Sequence, residues 1–230
     1  MTPLRRQRIA ACQDDDSTFS SQSGRGIFRG VIRLVAFDLD GTLLRGRTVC
    51  ELLARPLGCL ERMRELEAGA CTIEAARTEM AGWYLESGCS IEQLTTHLAD
   101  AEIAPGADEG CAMLHEAGAE IVIASVTWSF AVEYFARRFG ASCWLGTSLT
   151  PGGEIGHVFA DDKARWLGRL RVERGLARAE VAAVGDSAND LPMLRSAGVA
   201  IFVGPAPTAG DAMRLPGADI RDVASKLLSA

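Results

Sequence analysis

A chain of 230 residues with 48% apolar side chains can bury one core of moderate size, alone or with a smaller insertion, and is not disordered throughout. Twenty-four Lys and Arg against 30 Asp and Glu leave a net charge of −6, which argues against a nucleic-acid surface built on bulk charge and for a small-molecule partner. The seven cysteines (Cys12, Cys50, Cys59, Cys71, Cys89, Cys111 and Cys143) never form a Cys-x-x-Cys pair. Reduced thiols of a cytoplasmic protein are expected, with no disulfide framework and no zinc site.

Residues 1–30 carry Arg5, Arg6 and Arg8, then Asp14-Asp15-Asp16 and a Ser/Gly-rich run, without the apolar core of a signal peptide, and they read as a flexible tail. No later stretch is apolar for long enough to span a bilayer, so a soluble protein with no membrane partner is expected. Five short apolar runs then alternate with helical patterns: Val31–Phe37, Glu120–Ser125, Cys143–Leu145, Val181–Val184 and Val199–Val203. The alternation implies an α/β fold, a parallel sheet covered by helices on both faces.

Between the first and second runs, residues 46–104 show no strand pattern. Leu52, Leu53, Leu57 and Leu60, then Ile73, Met80 and Leu85, then Ile91, Leu94 and Leu98 fit three or four amphipathic helices. This is a helical cap domain over the carboxyl edge of the sheet, with Pro105-Gly106 marking the return, so the core domain comprises 31–45 and 105–230. Thr150-Pro151-Gly152-Gly153-Glu154 predicts a small hairpin, and a helix is expected from about Asp161-Asp162.

The first apolar run ends in Asp38-Leu39-Asp40-Gly41-Thr42, and carboxylates at the edge of a core need a metal, hydrogen bonds or chemistry to offset their burial. Ligands of open α/β sheets sit outside the carboxyl ends of strands, so Asp38 faces the crevice. Asp40, two residues on, points to the same side as Gly41 lets the chain turn. A carboxylate nucleophile beside a carboxyl that gives and then takes a proton is what phosphoryl transfer through an aspartyl-phosphate requires.

Val184-Gly185-Asp186-Ser187-Ala188-Asn189-Asp190 again sets two carboxylates after an apolar strand. So many carboxylates at one sheet edge repel without a cation, and an all-oxygen set lacking His and Cys suits Mg²⁺. Ser125 ends another strand, where it serves either as part of a phosphate cradle or as a helix cap. Lys163, in Asp161-Asp162-Lys163-Ala164-Arg165, either offsets the charge in the crevice or lies on a solvated helix face.

These four blocks, in this order, resemble the haloacid dehalogenase superfamily from about Ile32 to Val203. The continuation Leu191-Pro192-Met193-Leu194 is similar to phosphoserine phosphatases within it. The resemblance implies a Rossmann-like parallel core with an inserted helical cap. It implies Asp38 as nucleophile and Asp40 as general acid/base, with Mg²⁺ held by Asp38, the Asp40 carbonyl, Asp186 and Asp190, the last ligating the ion or orienting its waters. Ser125 and Lys163 would hold the phosphoryl oxygens, with Asn189 at the substrate or at Lys163. Dehalogenases lack an acid at the Asp40 position, so phosphate-ester hydrolysis is favoured over carbon–halogen cleavage.

The cap departs from the pattern. Phosphoserine phosphatases carry a Glu that meets the substrate ammonium and an Arg that meets its carboxylate, and those positions fall here on Arg47 and Met80. Arg77 and Glu51 could substitute, but each is more simply a surface charge of an amphipathic helix. A site for a zwitterion discriminates through paired charges, so a sugar, cyclitol or other polyol phosphate is expected ahead of phosphoserine. Trp128 and the pair Trp83-Tyr84 either line the substrate pocket or pack in the core. The expectation is a Mg²⁺-dependent phosphomonoester hydrolase of a small metabolite, with a phosphotransferase or mutase and an inactive binding protein as rivals.

Overall fold

The computed structural model describes residues 31–69, 71–206 and 210–230, and the tail expected over 1–30 lies outside them. In chain order the elements are β1 (Leu34–Phe37), β2 (Leu44–Arg45), α1 (Val49–Ala54), α2 (Leu60–Glu67), α3 (Ile73–Glu86), α4 (Ile91–Thr96), β3 (Glu102–Ile103), α5 (Ala107–Glu116) and β4 (Glu120–Trp128). They continue with α6 (Ser129–Arg138), β5 (Cys143–Leu149), β6 (Ile155–Gly156), α7 (Ala160–Glu173), β7 (Val181–Gly185), α8 (Leu191–Ser196), β8 (Val199–Phe202), β9 (Met213–Arg214) and α9 (Ile220–Leu228).

The sheet has the order β6-β5-β4-β1-β7-β8-β9 and is parallel except for β6, so the fold is α/β with a mostly parallel seven-stranded sheet. Its centre is β1, whose four side chains are all fully buried. Successive residues of a strand face opposite sides. Val35 and Phe37 therefore join Ile121, Ile123 and Val184 on one face, under α5, α6 and α9. Leu34 and Ala36 join Val122, Trp166, Leu170 and Leu194 on the other, under α7 and α8. A strand sandwiched in this way has no polar side, which is why the run before Asp38 is continuously apolar.

One strand runs longer than the sequence expectation, and three short strands were not expected. β4 continues past Ser125 to Trp128, with an irregularity after Ala124, because β5 resumes pairing at Trp128↔Thr147. The hairpin forms as expected, Leu149 pairing with Ile155, and α7 starts at Ala160, close to the expected Asp161-Asp162, where Asp162 Oδ2 accepts the Phe159 N–H at 3.0 Å and fixes the first turn. The two-residue strands β2, β3 and β9 carry no readable period.

Residues between β2 and β3 form α1 to α4 and a 3₁₀ turn. Thr48 and Ser90 open α1 and α4 with reciprocal capping boxes, and the Thr72 hydroxyl caps α3. Leu53, Met63, Met80, Tyr84 and Leu94 bury the inward faces of these helices in the same cluster as Phe37 and Ile123. The cap thus packs onto the core rather than standing apart. At its base β2 pairs antiparallel with β3, Leu44↔Ile103 and Arg45↔Glu102. Trp128 and Tyr84 are buried edge to face, with centroids 5.7 Å apart, so they belong to this packing, and neither lines the cavity that holds Asp38.

Cys50, Cys59, Cys71, Cys89 and Cys111 are free thiols. No helix among the described residues is long and apolar enough to cross a membrane.

Candidate active site

β1, β4 and β7 come level at their carboxyl ends, Phe37 standing opposite Ile123 and Val184. The next residues along are Asp38, Ala124-Ser125 and Gly185-Asp186. Parallel register alone therefore gathers three of the expected groups at one edge of the sheet. Asp38, Asp40, Ser125, Asp186 and Asn189 all line a cavity of about 610 Å³ roofed by the cap.

Lys163, in the first turns of α7, is fully buried behind this cavity. Its Nζ donates to Asp38 Oδ1 at 2.7 Å and also to Asp190 Oδ1. The alternative of a solvated helix face is excluded. Asp190 is equally buried, and its Oδ2 accepts from the backbone N–H groups of Asp186 (3.0 Å) and Ser187 (2.9 Å) and from the Ser187 hydroxyl (3.0 Å). It ties the loop after β7 to Lys163. Asn189 is exposed at the cavity rim and forms no hydrogen bond with Lys163. Ser125 is buried and its Oγ accepts the N–H of Thr127 at 3.2 Å.

Asp40 sits where the cap begins. Its Oδ1 accepts the N–H of Val49, the first residue of α1, at 2.8 Å. The turn after it is closed by Arg45, whose Nη1 donates to the carbonyls of Gly41 and Thr42, the latter at 2.6 Å. Gly41 has φ +81°, and the Asp186 carboxylate packs where a Cβ would stand, so no other residue fits there without displacing a carboxylate of the site.

Burial governs the electrostatics. It pushes Asp40 up to about 7, opposed by the Val49 N–H and reinforced by Glu67 and Asp186. Burial and then Asp190 push Asp186 up to about 6, with Lys163 and Arg45 opposing. Asp38 is raised well above the usual carboxylate range, first by burial and then by Asp190. Burial alone would lower Lys163, but the two carboxylates on its ammonium more than reverse this and raise it.

Asp38, Asp186 and Asp190 each place one carboxylate oxygen within 4.8 Å of the others. Asp186 Oδ1 is buried with no hydrogen-bond partner among the described residues. An orphaned carboxylate oxygen amid crowded acids, without His or Cys in the set, fits a hard divalent cation.

The cap residues singled out from sequence fall differently. Arg47 is exposed and outside the cavity lining, while Met80 is buried in its wall. Glu51 is spent on the Thr48 capping box and on Arg64 at 3.1 Å. Arg77 is no surface charge: it is buried, lines the cavity, and begins the buried stripe Arg77, Met80, Ala81 and Tyr84 of α3. A charged residue opening an apolar 3-4-7 stripe was the available signal. Glu67 was missed as well; it lines the cavity, accepts the Thr48 hydroxyl at 3.0 Å and is raised by burial. It is exposed at the end of α2, beside the buried Leu66 and one turn after the buried Met63, and that spacing was its signal in the sequence. For Arg45 no signal existed.

A family model of haloacid dehalogenase-like hydrolases matches residues 35–195. The chain is 32% identical over 193 residues to a phosphoserine phosphatase of Halobacterium salinarum, covering 76% of this chain and 87% of that one. It is 26% identical to a phosphoserine phosphatase of Streptomyces coelicolor, over 81% of this chain and 48% of the relative, and so spans about half the length of the latter. A solved structure described as a phospho-aspartyl intermediate analogue of phosphoserine phosphatase superposes with a TM-score of 0.73 at 20% identity, over 85% of this chain and 99% of that one; this likeness is one of fold. Two carboxylate loops brought level by register, a buried lysine between them and a helical cap above thus coincide with a family match over most of the chain: it belongs to the haloacid dehalogenase-like hydrolases, on their phosphoserine-phosphatase-like branch.

Proposed function

We propose that this protein is a Mg²⁺-dependent phosphomonoester hydrolase that works through a phosphorylated Asp38. The observation that carries the reading is the pairing of Asp38, fixed through Oδ1 by a fully buried Lys163, with Asp40, a carboxyl raised to about 7 at the cap entrance. Asp38 attacks phosphorus, and Asp40 gives its proton to the departing alkoxide oxygen. Asp40, now a carboxylate, takes a proton from the water that attacks the phospho-aspartate, and Asp38 is restored with release of phosphate. Ser125 and Lys163 hold the phosphoryl oxygens throughout. Asp38, Asp186, the carbonyl of Asp40 and the loop organised by Asp190 would hold Mg²⁺, which when bound would supply charge neutralisation for the phosphoryl group. The cap keeps bulk water from the phospho-aspartate until the leaving group has gone.

A second reading concerns the leaving group. The expectation of a polyol phosphate rested on Arg47 and Met80, and neither relative described above is named for such a substrate. Glu67 and Arg77 place one charge of each sign in the cavity wall, at positions other than those compared from sequence. This favours an amino-acid phosphate such as phosphoserine, the substrate named in those relatives. Phosphate release with Mg²⁺ across phosphoserine, hexose and cyclitol phosphates and nucleotides, compared by kcat/KM, tests both levels. Activity on none of them overturns the hydrolase, and a polyol phosphate ahead of phosphoserine overturns the second reading.

A further inference from the structure

Arg77 is a buried cation in the cap, and no carboxylate forms an ion pair with it among the described residues. Its Nη2 instead donates to two backbone carbonyls of the core, Val126 O at 2.8 Å and Val158 O at 2.9 Å. The guanidinium also lies 5.6 Å from the centroid of the Phe159 ring, and its Nη1 is 3.4 Å from His157 Nδ1. Burial lowers its pKa, yet guanidinium keeps its proton under all ordinary conditions.

The two carbonyls belong to consequential places. Val126 follows Ser125 directly. Val158 precedes Phe159, whose own carbonyl accepts the N–H of Lys163 at 3.3 Å. From within the core Thr147 bridges the same pair of segments: its hydroxyl donates to Val126 O at 2.8 Å and accepts the Val158 N–H at 3.2 Å. Arg77 closes the ring from the cap side. Withdrawal of α3 would strip both Val158 O and Val126 O of this donor, leaving Thr147 on Val126 O.

We infer that Arg77 is a positioning residue: the cap's guanidinium sets the spacing between the segments carrying Ser125 and Lys163, so the phosphoryl cradle is complete only when the cap is closed. This rests on Ser125 and Lys163 holding the phosphoryl group as proposed above. It makes hydrolysis conditional on closure without any contact between Arg77 and the reacting atoms.

The test uses the full chain as wild type, Arg77→Met and Arg77→Lys, followed by hydrogen exchange and by kinetics on p-nitrophenyl phosphate with Mg²⁺, a probe that asks little of the cap. In Arg77→Met, amide exchange in 126–129 and 158–163 is expected to quicken about tenfold while β1 and β7 stay unchanged. kcat is expected to fall about 10- to 100-fold with KM within about threefold, and Arg77→Lys to lie between the two. Should Arg77→Met fail to fold, Arg77→Lys alone still shows the split between the two segments and the central strands. Unchanged exchange in both segments, equal acceleration across the sheet, or a loss confined to KM would overturn the positioning role. A wild type inactive on every ester would sink the hydrolase instead, and the exchange data would still decide whether Arg77 holds the two segments.

Discussion

Lys163 meets Asp38 at 2.7 Å across a separation of 125 positions in the chain, and both are sealed from solvent apart from the cavity side of Asp38. One ammonium neutralises two carboxylates there, since Asp190 shares it. Lys163→Met should therefore cost about 3–5 kcal/mol in the metal-free protein, because two buried carboxylates lose their counter-charge together. Urea unfolding measures this. A loss under about 1 kcal/mol would show that the carboxylates take up protons at little cost instead.

Asp38→Asn removes the carboxylate proposed as nucleophile and keeps its shape. Turnover should fall by at least about three orders of magnitude, while the circular dichroism spectrum and the unfolding midpoint remain close to wild type. Retained turnover would remove Asp38 from the covalent role.

Metal-free stability should rise as pH falls from about 8 to about 5. Asp40 and Asp186 have native pKa values of about 7 and about 6 against 3.8 for the free carboxyl, so the folded chain binds more protons than the unfolded chain in that window. Protonation on the way down therefore favours the folded state, and the gain ends below the unfolded value. Thermal unfolding in a chelator, repeated with Asp40→Asn, checks this: the variant should show a flatter profile.

Gly41→Ala should both destabilise the chain and weaken Mg²⁺ binding, since φ +81° opposes a side chain and the new Cβ displaces the Asp186 carboxylate. Isothermal titration with Mg²⁺ separates the two effects. Unaltered affinity would mean that Asp186 can retreat and still ligate.

The strands that matter were legible because burial on both faces writes an unbroken apolar run, as in Leu34–Phe37 and Val181–Val184. Asp38, Asp40, Ser125 and Asp186 were legible because each stands at or just beyond such a run. The surroundings of Lys163 were not, because the distance between α7 and β1 is set by helix packing that leaves no mark near residue 163. Arg77 was misjudged for a different reason. Charge suggests solvent, and only the company of Met80, Ala81 and Tyr84 on the same helix face reveals that it points inward.

The ladder of β2 and β3 gathers the entry and exit of the cap at one point, so the sheet meets everything between residues 45 and 102 as a single closed loop. Such a loop is exchangeable as a cassette: a different helical insert spliced onto the same two-residue stem would leave the strand register under Asp38 and Asp186 untouched. The splice carries one condition. Any incoming cap that covers the apolar surface around Phe37 and Ile123 must also bring a donor for the Val158 carbonyl, because Thr147 serves only that of Val126, so the repertoire of leaving groups open to this scaffold is set by the inserts that can supply one.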